Sequence, residues 1–581
     1  MLTHDRDIDA TRGRSDWKWS ILCGAALLIA VFLINPVAEM ATTDDWSYAR
    51  TAQLFADSGH FVYNGWATAM LGWQVIWGAL FVKLCGFSFL ALRTSTILLG
   101  TTSAILLHRI LLRFGICPPH AAFGTLIVVL CPQFLAETVS FMTDIPGFLC
   151  ILLCIYGCQR ALAASSDRSA LLWLCFSAAL NIVGGTVRQI VWLGALVLVP
   201  SAFWLLRRRR GFPAIGVSLW VFSCFCIFLF LRWFQHQPYT VPEGLIDGKI
   251  DKDTFKHFLA GLIFIPLDSL IFTLPILVAW LPDLRRLRRI ALFILLTCIA
   301  CVAYALWRRD YLPPWIGGVA TIEGIFRTGP LLGGGPTVLP NWLRLSCLAL
   351  LLGSLSGFLI SVKRTITRSY AALAPDALTW TETLTLLIPF AMVYMALLLP
   401  RAAFSIHLFN VFDRYFIPLI TIIVILLLRL FSERQGDRLP AICLVTLLFF
   451  VLFGVAGTHD LFAADRAILR AIDELVVAGV PAVSIDAGWT SDGWNQIVLY
   501  GYVNQPRLKN PPGAYHPTLG GPLVDCGFGD GSLFPGLHPR YVLVFIPRNC
   551  LELSMFEPVS YTTWLPPNKR TVYIERNPSE P

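Results

Sequence analysis

The chain has 581 residues, of which 56% are hydrophobic and only 14% charged, with a formal net charge of +9. A soluble domain carries about 25% charged residues, so a chain this poor in charge could not cover its own surface with them. That excludes a soluble enzyme, a disordered scaffold and a nucleic-acid binder, and leaves a polytopic membrane protein.

A membrane span needs about 20 mostly apolar residues. Taken in chain order, the apolar runs are 19–38, 70–86, 89–112, 119–140, 146–163, 169–184, 190–206, 214–233, 258–281, 289–307, 341–361, 381–399, 414–430 and 440–457. The first, behind a partly basic N-terminus, reads as a signal-anchor because many more spans follow. Basic clusters fix the orientation. The densest are Arg207 to Arg210, then Arg285, Arg286, Arg288 and Arg289, then Lys363, Arg364 and Arg368. All fall on one side if one early run does not cross. The run 70–86 is short and holds Trp73, Gln74, Trp77 and Lys83, which suits a helix lying in the interface. About thirteen transmembrane helices remain, with the N-terminus cytoplasmic.

Four long segments then lie outside: 39–88, 234–257, 308–340 and the tail from 458. The division is a transmembrane catalytic domain at 1–457 and a small extracytoplasmic α/β domain at 458–581. In the latter, Asp465 to Ala478 has helical spacing, and Val483–Ile485, Tyr541–Ile546 and Thr571–Ile574 are strand-like. A Gly/Pro-rich insertion lies near 508–540. Cys526 and Cys550 are placed to form a disulfide if this region is outside. The other cysteines sit mostly in apolar runs. Cys150, Cys154 and Cys158 share one helix face with no His or carboxylate beside them, so they read as packing residues and not as a zinc site.

Candidate chemistry collects at the outer ends. The first outside segment opens Thr42-Thr43-Asp44-Asp45-Trp46-Ser47-Tyr48-Ala49-Arg50. Spacing alone favours capping, with Thr43 or Asp44 as cap of a helix over 45–57, over an acid–base site made by the two adjacent carboxylates. Asp144, before Pro146, has the same two readings, and the charge pattern puts it on the same side as Asp44. Arg188-Gln189 and Arg414-Tyr415 also map outward. Arginine suits bidentate phosphate binding, against the alternatives of snorkelling or, for Arg414, pairing with Asp413. The loop Arg327 to Pro340, with Gly333-Gly334-Gly335, reads as a linker or as a flap over a donor.

With these residues in place, the chain resembles the GT-C superfamily of membrane glycosyltransferases. It is closest in style to bacterial relatives of protein O-mannosyltransferases and of the lipid A aminoarabinose transferase, a glycosyltransferase family 39-like layout. Asp44-Asp45-Trp46-Ser47-Tyr48-Ala49 aligns with an Asp-Glu-Thr-Arg-Tyr-Ala motif of the latter. Ser47 stands where the motif has arginine, so a phosphate contact there does not carry over; Arg50, Arg188 or Arg414 are the candidates to replace it. Asp144 resembles the family's second acid. The stretches 413–415, 457–460 and Ile485 to Trp489 resemble uncharacterised members.

The resemblance implies an inverting transferase in the cytoplasmic (inner) membrane, acting on its outer face. It moves a sugar from a polyprenyl-phosphate donor to an acceptor hydroxyl on a lipid, glycan or protein. Asp44 is the implied general base. Asp144 joins it among the catalytic residues, orienting the acceptor or a basic residue, and Asp45, Tyr48, Arg50, Arg188, Gln189, Arg414 and Tyr415 bind substrate. No cofactor is implied with certainty, and a divalent metal is not indicated. The rival readings are a transporter or flippase for a lipid-linked substrate and a non-catalytic scaffold. A transporter would put charge in mid-span, whereas the polar candidates here gather at span ends.

Overall fold

The computed structural model describes residues 2–242, 244, 250–326, 331, 335–365, 377–404, 411–435, 438–517 and 532–578. Among these, 10 helices are long and apolar enough to cross a membrane. The chain begins with α1 (Leu2–Ile34), the short α2 (Asp45–Ser58) and α3 (Gly72–Cys85), and then α4 (Phe89–Arg113). The demoted run 70–86 is α3, only 14 residues long, too short to span about 30 Å of hydrocarbon.

The run expected at 119–140 is broken. Its halves, α5 (Pro118–Val129) and α6 (Pro132–Thr138), meet at a bend of 68°. Pro132 explains the break, since it lacks an N–H and clashes with the preceding turn. Counting this pair as one span makes eleven. Two further expected spans fall short of the test. The first is α8 (Asp167–Gly184), diluted by Asp167, Arg168 and Asn181. The second is α9 (Gln189–Leu205), which passes from 3-10 through π to α turns. Between α6 and α8 stands α7 (Asp144–Leu162).

The second half adds α10 (Phe212–His236), α11 (Lys252–Ile271), the single turn α12 (Leu274–Leu277), α13 (Arg289–Arg308), α14 (Asn341–Thr365), α15 (Trp380–Ala403), α16 (Ile417–Gln435) and α17 (Ala441–Val477). Burial grades across them. The best apolar windows of α7 and of the span over Asp413–Glu433 are each 78% buried, whereas no residue of α13 is buried. Helices of the first kind form the packed centre. Helices like α13 keep their apolar side chains on the outside, where lipid tails are as favourable as protein.

The expected segment 308–340 carries a hairpin, β1 (Ala320–Thr321) with β2 (Gly324–Ile325). Its glycine-rich stretch is only partly described, because 327–330 and 332–334 lie outside the described residues. In the C-terminal region the expected helix over Asp465–Ala478 is not separate. It continues the last span as α17, one helix of 37 residues that runs through position 457 without a break. Beyond it come β3 (Ile485–Asp486), α18 (Trp489–Leu499), β4 (Tyr541–Val544), β5 (Glu552–Leu553), β6 (Val559–Thr562) and β7 (Lys569–Arg576). The sheet order is β3-β4-β7-β5, with β6 also on β7, and β3–β4 is the parallel pair. Ala467, Ile468, Ala471 and Leu475 of α17 pack with Ile485, Leu543, Val572 and Ile574 of the sheet. The upper part of the last span is thus the helical layer of a small α/β unit. Cys550 is disulfide-bonded; its expected partner Cys526 lies outside the described residues.

Candidate active site

The short helix α2 buries Trp46, Ala49, Ala52 and Ala56 along one stripe, the spacing of an amphipathic helix. It ends at Gly59, whose φ of 73° places it in the left-handed region and lets its N–H bond the Phe55 carbonyl at 2.8 Å. At its start the two acids part company. Asp45 is fully buried. It accepts from the backbone N–H groups of Thr42 (2.9 Å), Thr43 (3.0 Å) and Phe141 (3.1 Å), and from the Thr42 hydroxyl at 3.3 Å. Its carboxylate therefore ties the entry loop to the segment before Asp144, and it is committed to the fold and not to a substrate. Asp44 occupies the N-cap position, yet its side chain makes no cap bond. Instead its Oδ1 accepts the indole N–H of Trp489 at 3.0 Å. The capping reading of Asp44 is not what the side chain does.

Asp144 behaves likewise. It is the first residue of α7, behind Thr143, and its oxygens face arginines. Gln74 of α3 donates to the Phe141 carbonyl at 2.9 Å, so the interfacial helix holds the segment that presents Asp144. Arg188 pairs with Asp144 Oδ1. Arg414 Nε faces Asp144 Oδ2 at 3.8 Å, with neither atom hydrogen bonded. The other arm of Arg414 reaches Glu137 Oε1 at 3.3 Å. Arg414 does not pair with Asp413, which is fully buried and accepts the N–H groups of Val319 and Ala320, both at 2.8 Å. Asp413 thereby fixes the β1–β2 hairpin over the bundle.

The Tyr415 ring lies among three guanidinium groups, Arg188 at 4.3 Å, Arg401 at 5.5 Å and Arg414 at 5.7 Å from its centroid. Its carbonyl accepts the Tyr394 hydroxyl at 2.8 Å. A cavity opens here. Asp144, Arg188, Arg414, Tyr394 and Tyr415 line it, together with the apolar Phe148, Ile151, Val191 and Ile417. Tyr48 is buried within the fields of Asp44, Arg414, Tyr415 and Asp144. Burial pushes its phenol above the ordinary range, and the Asp44 charge adds to that, so it stays a neutral hydrogen-bond donor. Burial also lifts Asp44 above the usual carboxylate range, while Arg414 and the Trp489 N–H pull it back down.

Of the residues singled out in the sequence, Asp44, Tyr48, Asp144, Arg188, Arg414 and Tyr415 come together at one end of the bundle. Gln189 stands beside them as an anchor, donating to the Thr68 carbonyl at 2.9 Å. Arg50 is not among them; one arm of its guanidinium donates to Gln53 at 2.8 Å within α2. Three participants were missed: Glu137, Arg401 and Trp489. Glu137 did carry a signal, as a lone carboxylate in an apolar run. Among the described residues no group of His, Cys, Asp and Glu could hold a metal ion.

No family model and no curated protein matches the chain. Solved structures of similar layout include ArnT from Cupriavidus metallidurans. In the form bound to undecaprenyl phosphate it shares 14% identity over 97% of this chain and 99% of that one, with a TM-score of 0.35. In the apo state the identity is again 14%, over 96% and 98%, with a TM-score of 0.38. The S. cerevisiae protein O-mannosyltransferase Pmt1-Pmt2 complex bound to the sugar donor shares 13% identity over 37% of this chain and 32% of that one, at a TM-score of 0.27. Likenesses of this size decide nothing about the chemistry, which has to be argued from the geometry above.

Proposed function

We propose that the protein is a membrane glycosyltransferase that moves a sugar from a polyprenyl phosphate to an acceptor hydroxyl, with inversion at the anomeric carbon. The observation that carries this reading is the cavity at Tyr415. Its lining combines the guanidinium groups of Arg188 and Arg414 with apolar side chains, a combination that suits the phosphate end of a lipid. Asp44 acts as general base. It takes the acceptor's hydroxyl proton as the oxygen attacks the anomeric carbon and the bond from that carbon to the phosphate oxygen breaks. The bonding pair leaves with the polyprenyl phosphate. Arg188 and Arg414 stabilise the charge that grows there. Asp144 and Glu137 keep the two guanidinium groups in place, so they need not reorganise during the reaction. The acceptor-side end of the bundle and the sheet domain lie outside the cytoplasm on this reading.

The test is transfer of labelled sugar from a panel of polyprenyl-phosphate sugars by purified protein. Asp44→Asn is expected to lower it by about 10²- to 10⁴-fold, the usual worth of a general base, with thermal unfolding unchanged. Full transfer by that variant would end the assignment. A pH profile adds a second check. Asp44 serves only when ionised, and its pKa is raised. Transfer should therefore hold at high pH and fall as pH drops, with the acid limb above the ordinary carboxylate range. An acid limb at or below that range contradicts the role.

A further inference from the structure

The notable contact of Asp44 is with a residue more than 400 positions away in the chain. Trp489 opens α18, directly after β3, and so belongs to the C-terminal sheet unit. Its ring lies 4.8 Å from that of Trp66, 5.9 Å from Trp46 and 5.2 Å from Phe534, centroid to centroid. Trp46 is the residue that follows the two acids, and it is fully buried. Helix α18 approaches it so closely at Gly493 that a Cβ there would stand 2.6 Å from Trp46 Cε2. The start of α18 is further held by Ala487 N–H on Asp492 Oδ1 at 3.1 Å. Trp489 is therefore locked on three sides before it donates to Asp44.

We propose that Trp489 is a positioning residue for Asp44, so that the C-terminal domain completes the reactive site instead of merely accompanying it. A carboxylate tethered through Oδ1 cannot turn freely about its Cβ–Cγ bond, so its proton-accepting direction is fixed. The inference rests on the reading of Asp44 as base. The groups facing Asp44 are Arg414 before α16, Asp45 and Tyr48 on α2, Trp66 on the segment after α2, and Trp489 itself. A donated N–H favours the charged carboxylate, so its removal raises the pH at which Asp44 ionises.

The test uses the full chain in detergent or nanodiscs. The carboxyl stretch of Asp44 is identified as the infrared band absent from Asp44→Asn, and it is titrated in wild type, Trp489→Phe and Trp66→Phe. Trp489→Phe keeps the ring and loses the N–H. Its midpoint should rise by about one to two pH units, as expected for a hydrogen bond to a charged group, with a smaller rise in Trp66→Phe. The acid limb of sugar transfer should move with it, with kcat reduced and the donor KM unchanged. Gly493→Ala, which pushes α18 off Trp46, should move the midpoint in the same direction. An unmoved midpoint in Trp489→Phe, with or without a loss of thermal stability, reduces Trp489 to packing and overturns the proposal. Transfer by Asp44→Asn would instead overturn the base assignment, whatever Trp489 does, so the two failures are distinguishable.

Discussion

A buried arginine under the entry loop and a pair of arginines beside the cavity use their charge differently. Arg93 of α4 is fully buried beneath the entry loop and donates to the backbone carbonyls of Pro36, Ala38 and Met40, with its guanidinium 4.8 Å from the Phe462 ring. Those partners neither titrate nor leave. Arg188 and Arg414 instead face carboxylates and an aromatic ring beside a cavity. A guanidinium held by carboxylates beside a cavity keeps an edge for a ligand, whereas one given over to carbonyls of the fold does not. Arg93 holds the loop that leads to Asp44, and on the proposed function Arg188 and Arg414 act on what enters the cavity. Burial of an arginine thus does not separate structure from function; the nature of its partners does.

The sharpest way to break this contrast is Arg414→Ala. It should cost turnover about 10²- to 10³-fold, as loss of one preorganised donor does. Because Glu137 is left buried without its counter-charge, while Asp144 keeps Arg188, it should also cost about 3 to 5 kcal/mol of stability. Adding Glu137→Gln should recover much of the melting temperature but not the turnover, measured by label release in single-turnover mixing. Recovery of both would make Arg414 a structural arginine like Arg93. Next in size is Arg93→Met, which strips donors from three carbonyls at about 1 to 3 kcal/mol each. Its transfer, normalised to the folded fraction from thermal unfolding, should stay close to wild type. A large fall in normalised transfer would erase the distinction from the other side. The smallest effect belongs to Arg50→Ala. With Gln53 as its partner within α2, it should change stability by a few tenths of a kcal/mol and leave transfer unaltered; a raised donor KM would return Arg50 to the site.

The same contrast explains what could be read beforehand. Asp44, Asp144, Arg188 and Arg414 were legible because charge is rare in this chain and sorts by side, a pattern that needs no tertiary information. The helix over 45–57 was legible from its spacing, and α3 from its length and its tryptophans. Spacing could not tell Asp45 from Asp44, since the division of labour depends on the Phe141 N–H, 96 positions along the chain. Nor could it show that Asp413 would turn to the hairpin and Arg414 to Glu137. The broken helix α5–α6 was read as one straight run because hydropathy does not register a 68° bend, and the proline that causes it was passed over. Trp489 was noticed only as part of a motif. Its role needs the sheet domain folded back against α2, a long-range contact that no local pattern encodes.

The uninterrupted helix α17 has a mechanical consequence. At 1.5 Å per residue its 37 residues measure about 55 Å, against roughly 30 Å of hydrocarbon. It contains no proline, so it has no built-in hinge between the lipid and the sheet. The sheet rides on it as a blade rides on a mast, and any lean of the mast is delivered to the far end of the lever. Long helices lean when the bilayer thins. The direction of the last span therefore sets where α18 and the Trp489 indole stand over Asp44.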